Sequence, residues 1–381
     1  MKVLHVYRTY FPDPPGGLQE AIRQICLAAS LFGVESRVFA LSPNPQPASL
    51  DRPEALVFRA RSWCAPASCD LGGISALQCF SEQAAWADVL HFHFPWPYAD
   101  FLNLLSVAER PKIMTYHSDI VRQRFLLRLY APLMRRTLGS MDAVVATSPA
   151  YIQTSPFLQS LVSRERLRAI PLGIEDSFVS CVSGDVESDI LKRLNLAGND
   201  FVLALGVLRY YKGFHTLIEA AGDIGKPIVI AGSGPEGVSL KALAKSLGAD
   251  NVIFAGQVTD QEKRDLLRAC TLLALPSHLR SEAFGMVLVE ASVYAKPMVC
   301  CEVGSGTSFV NIDGETGFVV PPEDSESLSA AINRIMDDVD LAKGFGLAAR
   351  QRYERMFSGE AQGRAYASLY REVIDAKILK S

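Results

Sequence analysis

The sequence Leu272-Leu273-Ala274-Leu275-Pro276-Ser277, with Arg280-Ser281-Glu282-Ala283-Phe284-Gly285-Met286-Val287-Leu288-Val289-Glu290-Ala291 close behind it, predicts a buried strand that turns into a helix. The first N–H groups of a helix have no partner within it, and the positive end of the helix dipole attracts anions. The backbone of residues 285–287 is therefore a candidate anion site, where Glu290 could accept two ribose hydroxyls and Glu282 lies nearer the anion. The alternative is an ordinary corner with solvated glutamates.

Short apolar segments alternate with longer helical patterns along the whole chain, as is typical of α/β proteins with parallel sheets covered on both faces. Strands are predicted at 3–7, 37–41, 56–59, 89–94, 112–116, 143–147, 168–170, 201–205, 227–231, 252–255, 272–275, 298–301 and 317–320. Helices are predicted near 18–32, 74–86, 98–109, 120–138, 213–222, 236–247, 260–269, 286–295 and 325–336, with two more in 340–377. A chain of 381 residues is long for one core. We predict domains at 1–175 and 176–358 and a final helix in 359–381.

Composition and charge exclude several classes of protein. With 49% hydrophobic and 21% charged residues, the chain is expected to be globular rather than disordered. No run approaches the roughly 18 apolar residues of a membrane span, and no signal peptide is expected at the start. The eight cysteines include no Cys-x-x-Cys pair, which favours free thiols in a reducing cytoplasm over structural zinc. The net charge of −3 and the absence of a recognition motif argue against nucleic acid as a partner.

Two segments of the first domain are candidate site loops. Gly16-Gly17 follows the first strand, where glycines let backbone N–H groups approach a phosphate or a sugar, although a simple turn is the alternative. His117 follows the strand at 112–116, and ligands meet parallel sheets at the carboxyl ends of strands. A neutral imidazole there could bridge a sugar hydroxyl and the reacting centre. His91 and His93 alternate along another strand and could line an acceptor cleft or simply pack.

Residues 120–138 read as a basic amphipathic helix. The segment contains no acidic residue, and its arginines are Arg122, Arg124, Arg128, Arg135 and Arg136. Such a helix can lie on an anionic membrane surface or accept a lipid phosphate. The alternative is a core helix with a solvated basic face.

The second domain carries cations and glycines after its first strands. Arg209 and Lys212 stand where a loop enters a helix, so both could reach one diphosphate and stabilise the negative charge that builds on it. The segment 232–237 matches G-x-G-x-x-G, which supports a dinucleotide-dependent oxidoreductase as the rival class. Against that reading, the motif lies in the second strand–helix unit, and Pro235 removes one N–H. Gln257 and Val258 follow the next strand and are expected to line a base pocket.

Taken in order, these segments resemble the retaining glycosyltransferases of family 4, whose signature has two glutamates eight residues apart, as in SEAFGMVLVEA. The resemblance implies the GT-B architecture, with two Rossmann-like domains facing across a cleft and the last helix crossing back to the first domain. The implied catalytic residues are His117, Arg209, Lys212 and Glu282. The implied donor-binding residues are Gly16, Gly17, Gly232, Ser233, Gly234, Gln257, Val258, Phe284, Gly285, Met286, Val287 and Glu290. The spacing of three from Arg209 to Lys212 is shorter than in many members. The departing phosphate is expected to take the acceptor proton, with no bound metal or other cofactor.

The runs Tyr116-His117-Ser118-Asp119-Ile120-Val121-Arg122-Gln123 and Ala146-Thr147-Ser148-Pro149 resemble bacterial O-antigen and exopolysaccharide mannosyl- and rhamnosyltransferases that use GDP-sugars. The resemblance implies GDP-mannose or GDP-rhamnose as donor and an undecaprenyl-diphosphate-linked saccharide as acceptor. It also implies a cytoplasmic enzyme associated peripherally with the inner membrane. The alternatives are a UDP-sugar donor, the oxidoreductase, and a non-catalytic sensor of sugar nucleotides.

Overall fold

The computed structural model describes residues 1–13, 17–66, 69–106, 109–119, 124–175 and 189–379, with the side chains of 124–129 excepted. The chain divides into two compact units. Met1–Glu175 and Ser358–Ser381 form the first unit, and Asp176–Phe357 form the second. Each unit is built around one sheet.

Among the described residues, nine strands form the sheet of the first unit, in the order β3-β4-β2-β1-β6-β7-β8-β9, with β5 paired to β4. The strands are β1 (Lys2–Val6), β2 (Glu35–Ser42), β3 (Ser49–Arg52), β4 (Ala55–Cys64), β5 (Leu71–Gly72), β6 (Val89–Phe94), β7 (Lys112–Tyr116), β8 (Ala143–Ala146) and β9 (Leu167–Ala169). All pairs are parallel except β3 with β4 and β4 with β5. These two short antiparallel strands were not predicted, because they are partly exposed and lack a continuous apolar run.

The first unit also contains α1 (Gly17–Ser30), α2 (Ile74–Trp86), α3 (Pro97–Leu105), α4 (Arg124–Ser140), α5 (Pro149–Thr154) and α6 (Pro156–Leu161). The short helices α5 and α6 were missed because each is about one and a half turns long, too short to display a helical period. Both begin with serine and proline. Ser148 Oγ accepts from the N–H of Tyr151 at 3.0 Å, and Ser155 caps α6 in the same way.

The second unit has six parallel strands among its described residues, in the order β12-β11-β10-β13-β14-β15. They are β10 (Val202–Leu205), β11 (Ile228–Ala231), β12 (Val252–Gly256), β13 (Leu272–Leu275), β14 (Met298–Cys301) and β15 (Gly317–Val320). The helices are α7 (Asp189–Arg193), α8 (Phe214–Glu219), α9 (Gly237–Ser246), α10 (Asp260–Ala269), α11 (Met286–Val293), α12 (Thr307–Val310), α13 (Ser325–Asp337) and α14 (Val339–Arg352). This is the Rossmann strand order, and its direction reverses between β10 and β13, the switch point where ligands bind open α/β sheets.

The last helix, α15 (Gly359–Ile378), returns to the first unit, as predicted. Ser358 caps it by accepting from the N–H of Ala361 at 3.2 Å. The helix packs so closely on α1 that a Cβ at Gly363 would lie 2.0 Å from the carbonyl oxygen of Ala28. Tyr366 and Tyr370, which belong to this helix, are fully buried. The polypeptide therefore enters the second unit and comes back to complete the core of the first.

Candidate active site

The switch point of the second sheet brings together two of the predicted catalytic residues. Lys212 ends a short 3₁₀ turn after β10, and Glu282 lies in the loop after β13. Their side chains meet, with Lys212 Nζ 2.5 Å from Glu282 Oε2 and with 13% and 10% of the two side chains exposed. Ser277 donates a hydrogen bond to the same carboxylate oxygen at 3.0 Å. Lys212 and Glu282 thus form a buried ion pair at the place where the fold favours a ligand.

Gly213 makes this pairing possible. Its φ is +67°, and a Cβ on this residue would lie 1.9 Å from the carbonyl oxygen of Pro276. The loops after β10 and β13 can therefore touch backbone to backbone only with glycine here. Burial lowers the pKa of the Lys212 amine. The Glu282 carboxylate raises it, with smaller contributions from Tyr211 and Glu290, and together they outweigh burial, so that the pKa is raised overall. Lys212 is accordingly a fixed cation.

The first two glycines of the G-x-G-x-x-G segment allow the loop after β11 to pack against the loop after β10. A Cβ at Gly232, whose φ is +140°, would lie 1.9 Å from the carbonyl oxygen of Gly206, and one at Gly234 would lie 2.5 Å from that of Leu208. Leu208 N donates to Ser233 O and Glu236 N donates to Leu208 O, both at 3.0 Å. The loops after β10 and β11 are therefore joined along their backbones, which explains the motif without a dinucleotide.

Ser233 also links the loop after β11 to the loop after β12. Its hydroxyl donates to Oε1 of Gln257 at 2.6 Å, so two predicted donor-binding residues from the loops after β11 and β12 are in contact. Gln257 is exposed and Val258 half-buried. Polar groups and one apolar side chain are thus available at this edge of the sheet.

The start of α11 has the expected geometry of a corner. Gly285 precedes the helix with φ +81°, and Leu288 N donates to its carbonyl at 2.8 Å. The buried ring of Phe284 packs edge-on against the ring of Phe357, with the ring centroids 6.0 Å apart, so this side chain faces the core. Ser305 Oγ donates to the Glu282 carbonyl at 2.6 Å and fixes the turn that carries the glutamate.

Glu290 has a partner that the sequence did not reveal. Lys263 of α10 lies 3.0 Å from Glu290 Oε1, and 26% of each side chain is exposed. A ribose bound by Glu290 would therefore compete with or join this ion pair. No local signal marks Lys263, because it is one of several charged residues on an amphipathic helix.

In the first unit, His117 follows β7 at the carboxyl edge of the sheet. Asp119 stabilises this loop by accepting from the hydroxyls of Tyr116 at 3.0 Å and Ser155 at 2.7 Å. His117 is buried, with its Nε2 3.0 Å from Nδ1 of His93, and burial lowers the pKa of its imidazole to about 3. Gly17 is the first residue of α1, and Gly16 lies outside the described residues.

Comparison with known proteins assigns a family to this arrangement. The family "Glycosyl transferases group 1" matches residues 187–352, and "Glycosyl transferase 4-like domain" matches residues 16–173. D-rhamnosyltransferase WbpZ of Pseudomonas aeruginosa is 41% identical over 359 residues, which are 94% of this chain and 92% of that protein. O-antigen chain mannosyltransferase C of Escherichia coli is 36% identical over 380 residues, 99% and 100% of the two chains. The chain belongs to the group 1 glycosyl transferases.

Solved structures show that this glycosyltransferase has the GT-B fold. Sucrose-phosphate synthase from Thermosynechococcus elongatus superimposes with a TM-score of 0.79 at 24% identity, over 98% of this chain and 99% of that one. Anabaena HepE in complex with UDP gives a TM-score of 0.80 at 22% identity, over 98% and 100%. The predicted α/β fold of two domains with parallel sheets is confirmed.

The position of Arg209 separates it from Lys212. Arg209 is exposed and lines a pocket of about 270 Å³ with Tyr210, His215 and Glu236, whereas Lys212 is directed toward Glu282. The side chains of Lys212 and Glu282 are therefore together, whereas Arg209 contacts Lys212 through its backbone carbonyl, at 3.0 Å from Lys212 N, and forms no side-chain ion pair with either residue within the described ranges. Its role with the diphosphate stays a prediction.

Two groups of side chains in the described part of the glycosyltransferase could hold a metal ion. They are His5 with His91 and His93, and His215 with His278 and Glu323. In the first group the ring nitrogens already form hydrogen bonds, except Nε2 of His5. His91 and His93 are buried at 0% and 1% exposure, which favours packing over an open acceptor cleft. The second group was missed, because its members are far apart in sequence.

The basic segment 120–138 overlaps α4 (Arg124–Ser140), and its residues 120–123 and the side chains of 124–129 lie outside the described part. Where it is described, the helix is amphipathic: Arg135 and Arg136 are exposed, while Met134 and Leu138 are buried. No helix within the described ranges combines the length and the apolar character needed to cross a bilayer. Arg122, Arg124 and Arg128 fall in the part without described side chains.

Proposed function

We propose that this glycosyltransferase moves a mannosyl or rhamnosyl residue from a GDP-sugar to a lipid-linked saccharide during O-antigen assembly. The observation that carries the proposal is the similarity, over nearly the whole chain, to a D-rhamnosyltransferase (41% identical) and to an O-antigen chain mannosyltransferase (36% identical). D-Rhamnose is mannose without the hydroxyl on carbon 6. One pocket can therefore accept either sugar after small changes, since a pocket discriminates weakly against a single added group.

In the proposed reaction the bond between the sugar's anomeric carbon and the donor phosphate breaks. The acceptor hydroxyl bonds to that carbon on the same face, and its proton passes to the departing phosphate oxygen. Negative charge builds on the leaving diphosphate, where a fixed cation lowers the barrier. Lys212 is the cation best supported for this role, because it is buried at the switch point of the sheet. Arg209 and the start of α11 are proposed to add donors, and no metal is required.

Nucleotide preference can be tested by thermal unfolding with GDP, UDP and NAD, because a ligand that binds the folded state stabilises it by mass action. We expect GDP to raise the melting temperature more than UDP and NAD to have no effect. UDP is the specific rival, since Anabaena HepE is solved with that nucleotide. Greater stabilisation by UDP would overturn the GDP assignment, and a response to NAD alone would favour an oxidoreductase.

Transfer itself is tested with GDP-mannose, GDP-rhamnose and a synthetic undecaprenyl-diphosphate saccharide. Lys212→Met should reduce transfer strongly, whereas the matched control Lys245→Met should not, because Lys245 is exposed on α9. The anomeric configuration of the product, read by NMR, should equal that of the donor. An inverted product would contradict the retaining mechanism, and donor binding without transfer would indicate a sensor.

Peripheral attachment to the cytoplasmic face of the inner membrane belongs to the same proposal. The exposed Arg135 and Arg136 of α4 can meet anionic lipid, each contributing about 1 kcal/mol near a charged surface. Co-sedimentation with vesicles of phosphatidylglycerol should exceed that with phosphatidylcholine. Glutamate at both positions should weaken the binding, and equal binding to the two kinds of vesicle would argue against this helix as the anchor.

A further inference from the structure

Four of the six histidines in the chain lie side by side in the first unit. His5 is on β1, His91 and His93 are on β6, and His117 follows β7. Residues two apart on a strand share a face, and the parallel register places His5 beside His91. The four residues are 0%, 0%, 1% and 6% exposed, so they form a buried polar layer whose last member is His117.

Three of the rings are connected in series. His5 Nδ1 lies 3.1 Å from His93 Nε2, and His93 Nδ1 lies 3.0 Å from His117 Nε2. His5 Nε2, at the far end, has no hydrogen-bond partner among the described residues. The series therefore begins in the core and ends at the predicted contact with the donor sugar.

His91 is a neighbour of this series and not a member of it. Its Nδ1 is 2.9 Å from the hydroxyl of Tyr370, and its Nε2 is 2.7 Å from the hydroxyl of Thr115. The ring stacks on His93, with centroids 4.2 Å apart. His91 is thus buried in the same layer but has separate partners, which makes it a natural control.

Burial disfavours the charged form of the four rings, because a charge removed from water loses its solvation. Burial lowers the pKa of His5 and of His117 to about 3. Burial, followed by repulsion from the neighbouring rings, also holds the pKa of His91 and of His93 well below the usual range. A neutral imidazole carries one N–H and offers one acceptor nitrogen.

The proton count then leaves only two arrangements for the series. Each of the two hydrogen bonds needs one proton, and His93 has one proton to give. If His93 donates through Nδ1 to His117, it accepts at Nε2 from Nδ1 of His5, and all three rings are protonated on Nδ1. If it donates through Nε2 to His5, it accepts at Nδ1 from His117, and all three are protonated on Nε2. Mixed arrangements leave one bond with two protons or none.

We infer that His93 and His5 are positioning residues for His117, which they hold in one orientation and in one tautomer common to the three rings. A fixed tautomer decides whether the other ring nitrogen of His117 donates to a ligand oxygen or accepts from a ligand hydroxyl. The consequence for catalysis rests on the proposed contact of His117 with the donor sugar. The shared tautomer does not.

The first test is NMR of the full-length protein labelled with ¹⁵N-histidine, in which only six imidazoles contribute signals. Long-range ¹H–¹⁵N correlations show which nitrogen of each ring is protonated. Single substitutions of His91, His117, His215 and His278 assign their signals and leave those of His5 and His93. We expect the three rings of the series to be neutral and protonated on the same nitrogen. A mixture of tautomers, or a charged ring at neutral pH, would overturn the inference even if the protein transfers no sugar.

The second test separates positioning from packing. An asparagine amide reaches roughly the position of the histidine Nδ1, and a glutamine amide roughly that of Nε2. His93→Asn should therefore keep a partner for His117, whereas His93→Gln should keep only the contact with His5. In metal sites, partners that orient histidines are worth about 10–100-fold. We expect a loss of kcat on this scale for His93→Gln and His93→Leu, with a smaller loss for His93→Asn and an unchanged KM for the acceptor.

The control is His91→Gln, which alters an equally buried ring outside the series. It should change the melting temperature but leave the tautomer signal of His117 unchanged. Equal losses of kcat for the asparagine and glutamine variants of His93, or a shift of the His117 signal in the His91 variant, would show that the layer acts only by packing. If the His93 variants do not fold, the wild-type spectrum still decides.

Discussion

Replacing Lys212 by methionine isolates the contribution of the buried ion pair. The cation lies 2.5 Å from Glu282, whose carboxylate would keep the Ser277 hydroxyl at 3.0 Å as its other side-chain donor. Removing one partner of a buried pair costs about 3–5 kcal/mol, because the remaining charge is left uncompensated. The double variant Lys212→Met with Glu282→Gln removes both charges and should recover most of that loss.

The single and double variants should differ in stability, but both should have lost most of the transfer activity. Chemical unfolding followed by circular dichroism should show the large loss in the single variant alone. All three tryptophans, Trp63, Trp86 and Trp96, belong to the first unit, so tryptophan fluorescence should move less than the dichroism and serves as an internal reference. A single variant as stable as wild type would refute the claim that the pair is buried and mutually dependent.

Binding of the nucleotide tests the second half of the reasoning. A cation about 4 Å from a phosphate charge contributes about 4 kcal/mol at an effective dielectric constant of 20. Lys212 already interacts with Glu282, so we expect a smaller net loss of about 1–2 kcal/mol, or roughly tenfold weaker GDP binding. Calorimetric titration of the stable double variant, compared with that of Glu282→Gln alone, measures this loss, because these two proteins differ only at Lys212. Unchanged affinity would remove Lys212 from the donor site.

Three other predictions follow from the same geometry. Gly232→Ala should lower the free energy of unfolding by about 2–4 kcal/mol, because of strain at φ +140° and the clash with Gly206 O. The control Gly248→Ala, with φ +63° and open space around it, should lower it by only about 1–2 kcal/mol. Similar urea midpoints for the two variants would contradict this. His5 and His117 have a pKa of about 3 when folded and about 6.5 when unfolded, so the unfolded state binds more protons between these values and stability falls as pH drops through this window, by up to about 1.4 kcal/mol per ring and pH unit. Unfolding at pH 7 and pH 4.5 measures it, and a flat profile would be inconsistent with neutral buried rings. Transfer activity should persist in EDTA, and activity recovered only by added Mg²⁺ or Mn²⁺ would contradict a metal-free mechanism.

The glycine motif at 232–237 shows that local sequence can predict a close backbone approach but not which group is approached. Its spacing is compatible with a dinucleotide site, a nucleotide-sugar site or a tight corner, because all three need close backbone approach. The structure provides the missing partner: Gly232 and Gly234 are required by the backbone of the neighbouring loop after β10. The contacting residues, Gly206 for Gly232 and Leu208 for Gly234, are each 26 positions away in sequence, beyond the reach of any local pattern.

The sequence by itself determined the alternation of strands and helices, the two-domain α/β class and the family, since apolar runs and short motifs are local and repeat with the period of each element. The short strands β3 and β5 were not predicted from the sequence, because they are partly exposed and lack a continuous apolar run. Only the tertiary structure decided which charges neutralise one another, as Lys212 does with Glu282 and Lys263 with Glu290, and that His5 and His93 extend from His117 into the core. Hydrogen bonds and ion pairs depend on distances between residues brought together by strand order, and strand order arises only when the whole sheet assembles.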